Sequence, residues 1–121
     1  MLIQLAVWIT AGIFGVFGVL FLVDPLRWLQ VVELRAESGT AQAEVRAMYG
    51  GLELGIAAFL CWCALSPARL MLGLDASAML MLGLGGGRLV GLLLAKRPRR
   101  LLWFFLAVEL GGGAACGLLA L

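Results

Sequence analysis

The sequence predicts an all-α integral membrane protein, a bundle of four transmembrane helices with a short interfacial segment between the first two. The first reason is composition: of 121 residues, 64% are hydrophobic and 13% are charged. A soluble domain is about half apolar with about a quarter of its residues charged, so these few charges would not cover a water-facing surface. The second reason is four apolar runs, each close to the ~20 residues that a helix needs to cross a bilayer. No run alternates with a period of two, which argues against a membrane β-barrel.

The apolar runs predict four helices within one domain, residues 1–121, at about 2–23, 45–65, 70–95 and 101–121. The first run ends at Asp24-Pro25, where a proline stops a helix. It lacks the basic N-terminal region and the small-residue cleavage site of a signal peptide. We therefore expect it to be a membrane helix of the protein.

The segment between the first two helices is different in character. Trp28, Leu29, Val31 and Val32 form an apolar patch, and the polar stretch ELRAESGTAQAE follows, with Gly39 as a helix breaker. This pattern predicts a short interfacial helix and then a loop.

The third helix has two candidate starts. Ser66-Pro67 fits a cap and a first helical turn. Alternatively, Asp75 caps a helix that begins later, with 70–74 lying at the interface. The sequence is compatible with either start.

Membrane orientation follows from the Lys and Arg residues near the helix ends, because cytoplasmic loops are enriched in them. Only Arg69 lies in the second connection. Seven lie in or beside the first and third connections: Arg27, Arg35, Arg46, Lys96, Arg97, Arg99 and Arg100. We therefore expect these two connections to be cytoplasmic and both termini to lie outside. The cluster of four at 96–100 lies between apolar runs, so we interpret it as an orientation signal and expect no nucleic-acid partner.

Three charged residues on three predicted helices are expected at one depth. Glu53 and Glu109 each lie eight residues from the start of their helix, about 12 Å at 1.5 Å per residue. Arg88 lies seven residues before the end of the third helix, about 10 Å from the same side. A lone charge near the bilayer centre costs about 2.5–3.5 kcal/mol, which favours pairing inside the bundle. We expect Glu53 and Glu109 to surround Arg88.

Arg46, Tyr49, Gly50 and Glu53 follow the spacing i, i+3, i+4 and i+7, which places them on one face of an α-helix. We expect Tyr49 to stack between the two charges, with Arg46 nearer the interface. Two interpretations of the charged layer stay open. It is either polar glue that fixes helix register, or a buried site for an ion, a proton or a polar ligand.

Glycines at four-residue spacing predict close helix packing in lipid. The expected packing positions are Gly50, Gly51, Gly83, Gly87 and Gly91. Gly113 and Gly117 repeat at the same spacing on the fourth helix. The stretch LGLGGGRLVG superficially resembles a nucleotide-binding loop, but no strand precedes it and it lies inside a membrane span. We therefore interpret these glycines as packing residues.

Composition also bounds the chemistry. The chain has no histidine, which excludes histidine-ligated haem, histidine zinc sites and histidine bases. Its cysteines are Cys61, Cys63 and Cys116, which form neither a CxxC motif nor an even disulfide set. Buried cysteines of this kind usually pack as small apolar residues. We expect no metal and no cofactor.

The stretches EVRAMYGGLELGIAAF (44–59) and GGGRLVGLLL (85–94), followed by Glu109, resemble a bacterial family catalogued as domain of unknown function (DUF) 4345. Its members are small four-helix membrane proteins, similar in architecture to DoxX-like proteins. The resemblance covers nearly the whole chain, and its specific part is Arg-Ala-x-Tyr-Gly-Gly with the later Gly-Arg. It implies a membrane fold in the bacterial inner membrane without an established activity. It points to Arg46, Tyr49, Gly50, Gly51, Glu53 and Arg88.

We expect a non-enzymatic function. The leading hypothesis is binding of a small polar or ionisable ligand, or a lipid headgroup, reached from the cytoplasmic side. The residues expected to bind it are Arg46, Tyr49, Glu53, Arg88 and Glu109. One alternative is a structural or assembly partner that forms homo-oligomers through its glycine faces. Another is a membrane redox protein that works with quinone, as the DoxX-like comparison suggests.

Overall fold

The structure is a computed structural model that describes residues 1–121. The chain is all-helical: α1 (Leu2–Val23), α2 (Pro25–Val31), α3 (Gly39–Val45), a π-helical turn (Arg46–Gly51), α4 (Leu52–Ala64), α5 (Pro67–Leu94) and α6 (Arg100–Ala120). Four helices are long and apolar enough to cross a membrane, because α3, the π-helical turn and α4 form one helix of 26 residues. With the short α2 after the first of them, the predicted fold class is confirmed.

The short helix α2 has well-defined ends. Asp24 caps its start by accepting a hydrogen bond from the backbone N–H of Arg27, and Pro25 occupies the first turn, where its missing N–H costs nothing. At its end, Leu34 N donates to Leu29 O at 2.9 Å. Glu33 has a φ of 60°, the left-handed conformation that terminates many helices. This hydrogen-bonded ending turns the chain from α2 towards α3.

The second membrane helix begins at Gly39, six residues before the start that the sequence predicted. Ser38 provides the cap, since its side chain accepts a hydrogen bond from Ala41 N at 3.0 Å. Gly39, which we expected to break a helix, is the first residue of α3. The stretch that follows is polar but still favours a helix, so the loss of apolar character did not mark a loop.

The third membrane helix begins at the earlier of its two candidate starts. Ser66 is the N-cap and Pro67 opens α5. The helix then continues for 28 residues without interruption at Asp75, whose side chain is exposed. Asp75 therefore does not cap a later helix.

The chain divides into two compact units, which we call the central unit (Trp8–Trp62) and the terminal unit (Met1–Val7 with Cys63–Leu121). In the central unit, Phe21, Leu29 and Ala36 form a core that connects α1, α2 and the loop before α3. In the terminal unit, α5 packs along α6. The N-terminal turns of α1 join this unit through Gln4, whose side chain donates to Ala64 O.

Glycines in the central unit allow α1 to approach the second membrane helix closely. A Cβ atom at Gly18 would lie 2.8 Å from Leu54 Cγ and 2.9 Å from Leu54 N. A Cβ atom at Gly50 would lie 3.1 Å from the backbone of Leu22. Because backbone atoms line both positions, no side chain fits without moving a helix.

Glycines in the terminal unit do the same for α5 and α6. A Cβ atom at Gly113 would lie 2.7 Å from Leu82 Cγ and 3.0 Å from Leu82 N. A Cβ atom at Gly85 would lie 3.2 Å from Glu109 Cβ and 2.7 Å from the end of the Leu110 side chain. The close approach therefore brings the backbone of α5 next to the turn of α6 that carries Glu109.

Candidate functional site

Arg88 and Glu109 form a two-point ion pair in the terminal unit. Arg88 Nε donates to Glu109 Oε2 and Arg88 Nη2 donates to Glu109 Oε1, both at 2.7 Å. Arg88 lies one turn after Gly85 on α5, so the missing side chain at Gly85 lets the arginine reach α6. Glu109 is 6% exposed. The expected contact between these two residues is present.

Within this ion pair, the two residues provide hydrogen-bond partners for most of each other's polar atoms. Two parallel N–H···O bonds are the strongest arginine–carboxylate arrangement, and both carboxylate oxygens of Glu109 have a donor. The guanidinium carbon of Arg88 also lies 5.5 Å from the ring centre of Phe105, a favourable cation–π distance. Two opposite charges inside membrane-spanning helices are therefore neutralised within one helical hairpin, which is how such residues are tolerated in a bilayer.

Glu53 has the opposite environment. It lies in the first turn of α4 in the central unit. Its Oε2 atom is buried and has no hydrogen-bond partner. Most buried side-chain polar atoms in proteins are hydrogen-bonded, so this oxygen is an exception that needs an explanation. The common layer of Glu53, Arg88 and Glu109 stays a prediction from sequence.

Arg46 and Tyr49 lie in the π-helical turn and contact α1. Arg46 Nε donates to Leu22 O at 3.1 Å, one of the last carbonyls of α1, which lack partners within that helix. The ring of Tyr49 packs against Phe21 with 5.3 Å between the ring centres. The expected position of Tyr49 between Arg46 and Glu53 stays a prediction. The α-helical spacing used for that expectation does not hold across a π-helical turn.

The glycines that the sequence selected differ in their surroundings. Gly50 is buried against Leu22, whereas Gly51 is exposed. A Cβ atom at Gly83, Gly87 or Gly91 would meet nothing within 4 Å. Close approaches between helices occur at Gly18, Gly50, Gly85 and Gly113, of which Gly50 and Gly113 were expected from spacing. Four-residue spacing shows that small residues recur, but it does not show which side of a helix meets a neighbour.

The remaining candidate chemistry is sparse. No group of three or more Cys, Asp or Glu side chains is close enough to hold a metal ion. Cys61, Cys63 and Cys116 are not joined in disulfides, and Cys63 and Cys116 are buried. The free oxygen of Glu53 can therefore accept a hydrogen bond from a bound molecule. The Arg88–Glu109 ion pair can hold α5 and α6 together.

Comparison with known proteins agrees with the sequence resemblance. No curated protein and no solved structure matches the chain. The family described as "Domain of unknown function (DUF4345)" matches residues 2–120. This match spans all four long helices and includes Arg46, Glu53, Arg88 and Glu109. The protein is therefore a member of the DUF4345 family.

Proposed function

We propose that the protein binds a small polar or ionisable ligand, or a lipid headgroup, at Glu53 within the membrane. The observation that supports the proposal is the buried Oε2 atom without a hydrogen-bond partner. Leaving a buried acceptor unsatisfied costs about 1–3 kcal/mol, and more for a charged group. A ligand that donates to this oxygen removes that cost, and an ionisable residue inside a membrane span is a functional candidate for the same reason.

The Arg88–Glu109 pair has a different role in this proposal. Both oxygens of Glu109 are already bonded by Arg88, so the pair has little need of a ligand. We propose that it holds α5 and α6 in register. This is the structural interpretation of the charged layer, applied to these two residues only. Arg46 and Tyr49 precede Glu53 on the same membrane helix and contact α1, so in this proposal they hold that helix against α1.

The test is to replace Glu53 with glutamine, which keeps the shape of the side chain and removes its charge. Native mass spectrometry of the protein released from membranes is expected to show a bound small molecule or lipid on the wild type. The same mass is expected to be absent or strongly reduced on Glu53→Gln, because the amide is a weaker acceptor. Circular dichroism should show unchanged helix content in the variant.

The matched control is Glu44→Gln, which changes an exposed glutamate in α3 of the same membrane helix. It is expected to retain the bound mass. Equal occupancy on wild type, Glu53→Gln and Glu44→Gln would contradict the proposal, and so would a wild type that carries no specific mass.

We also propose that the chain lies in the bacterial inner membrane with both termini outside. The seven basic residues around the first and third connections support this orientation. A C-terminal alkaline phosphatase fusion is expected to be active, because that enzyme folds only outside the cytoplasm, and a C-terminal green fluorescent protein fusion is expected to be dark. Fusions made after Lys96 should give the reverse pattern. The opposite result at both positions would invert the orientation.

A further inference from the structure

We propose that the turn between α5 and α6 binds the phosphate of an anionic phospholipid at the membrane surface. The site is the stretch 96–100, which we call the basic turn and in which four of five residues are basic: Lys96, Arg97, Arg99 and Arg100. It lies in the terminal unit and does not rest on the function proposed for Glu53. Three features lead to it: concentrated positive charge, a helix start without a side-chain cap, and exposed apolar side chains beside both.

The positive charge of the basic turn is concentrated and has no counter-charge within the chain. Five consecutive Cα atoms span at most about 15 Å, and all four basic side chains are exposed. Lys96, Arg97 and Arg100 form no ion pair. The nearest carboxylate along the chain is that of Glu109, nine residues after Arg100, and both its oxygens already accept hydrogen bonds from Arg88. The charge is therefore available to an external anion.

The helix α6 begins inside the basic turn. Its N-cap residue, Arg99, makes no side-chain hydrogen bond to the helix. Leu102 N donates to Arg99 O at 3.1 Å, which leaves the backbone N–H groups of Arg100 and Leu101 without an acceptor within the chain. Free N–H groups at the positive end of a helix favour phosphate. An anion at the basic turn therefore meets backbone donors as well as charged side chains.

Apolar side chains beside the basic turn indicate that the phosphate belongs to a lipid. Leu93 and Leu94, the last two residues of α5, are exposed, and so is Phe104 near the start of α6. Trp103, in the first turn of α6, is also exposed, and tryptophan is enriched at the headgroup level of membranes. A lipid held by its phosphate places its acyl chains along these side chains, whereas a free phosphate uses only the charged part.

The experiment is native mass spectrometry of the full-length protein in a neutral detergent, titrated with phosphatidylglycerol. Phosphatidylcholine, whose headgroup carries a compensating positive charge, is the control lipid. We expect the first phosphatidylglycerol to bind the wild type more tightly than the first phosphatidylcholine. Arg97→Gln combined with Arg100→Gln should weaken phosphatidylglycerol binding by about 25-fold, since each basic residue near an anionic surface contributes about a factor of five.

Two matched variants separate a site from general attraction between charges. Arg27→Gln combined with Arg35→Gln removes two exposed charges from the first connection, which lies on the same side of the membrane because two spans separate it from the basic turn. This pair is expected to change the affinity little. Arg97→Lys combined with Arg100→Lys keeps the charge and should bind phosphatidylglycerol nearly as tightly as the wild type. Circular dichroism checks that each variant keeps its helix content.

Inorganic phosphate tests the source of the ligand. At the concentration at which phosphatidylglycerol half-saturates the protein, it is expected to leave the bound lipid in place, because it lacks the acyl chains. Displacement of the lipid at that concentration would overturn the assignment to a phospholipid.

Equal affinity of the wild type for the two lipids would overturn the inference. So would an unchanged affinity in the glutamine pair at 97 and 100, or an equal loss in the pair at 27 and 35. A lysine pair that loses as much affinity as the glutamine pair would show that charge is not the cause. The Glu53-dependent mass is followed separately, so either proposal can fail while the other stands.

Discussion

Replacing Arg88 with methionine is expected to lower the free energy of unfolding by about 3–5 kcal/mol, the cost of removing one partner of a buried ion pair. Glu109, 6% exposed, would lose both hydrogen-bond donors and stay as a charged or unsatisfied group between α5 and α6. The change can be measured by reversible unfolding in mixed micelles with increasing denaturing detergent.

The matched variant removes both partners. Arg88→Met combined with Glu109→Leu leaves no buried charge, so we expect it to recover most of the stability that the single replacement loses. The double-mutant cycle should therefore show strong coupling, as expected for residues in direct contact. If the double variant lost the sum of the two single losses, the stability contributed by Arg88 and Glu109 would not come from their mutual contact.

Replacing Gly18 with alanine is expected to destabilise the protein by about 1–3 kcal/mol, the usual cost of overpacking. The added Cβ would lie 2.8 Å from Leu54 Cγ and 2.9 Å from Leu54 N. A side chain can rotate away from such a contact, but a backbone nitrogen moves only with its helix. The measurement is again the unfolding free energy.

Gly12→Ala on the same helix is the control, since a Cβ atom there meets nothing within 4 Å. Alanine favours a helix by about 0.5–1 kcal/mol over glycine, so we expect this variant to be neutral or slightly stabilised. If both replacements had the same effect, the close approach of α1 to Leu54 would not limit stability.

The fold was largely predictable because membrane helices impose strong requirements on a sequence. Apolar runs of sufficient length indicated all four spans, and the tryptophan-containing patch after Asp24 indicated α2. The depth of Arg88 and Glu109, counted from opposite ends of their helices, correctly implied that they meet. That inference needed only the rise per residue of a helix and the high cost of an unpaired charge in lipid.

The start of the second helix, two of the packing glycines and the aromatic partner of Tyr49 were not predicted, and each has a physical cause. The start of the second helix was placed at Val45 because apolar character begins there, but helix formation depends on capping and propensity, and Ser38 supplies the cap. Spacing identified Gly50 and Gly113 among the close-packed glycines but missed Gly18 and Gly85. Gly83 and Gly85 have similar sequence surroundings, and only a Cβ atom at Gly85 would meet α6. The pairing of Tyr49 with Phe21 depends on how α1 lies against the π-helical turn, which local sequence does not determine.

The π-helical turn at Arg46–Gly51 also sets the directions in which the side chains of α4 point. Its backbone bond spans five residues, from Leu52 N to Ala47 O, so the turn takes in one residue more than an α-helical turn. Relative to an unbroken helix, α4 is offset by the angular step of one residue, about 100°. The direction in which the Glu53 side chain points around the helix axis therefore depends on the number of residues in the turn, not on their identity. A single insertion or deletion in this segment resets it, whereas the length of the loop before Ser38 leaves it unchanged.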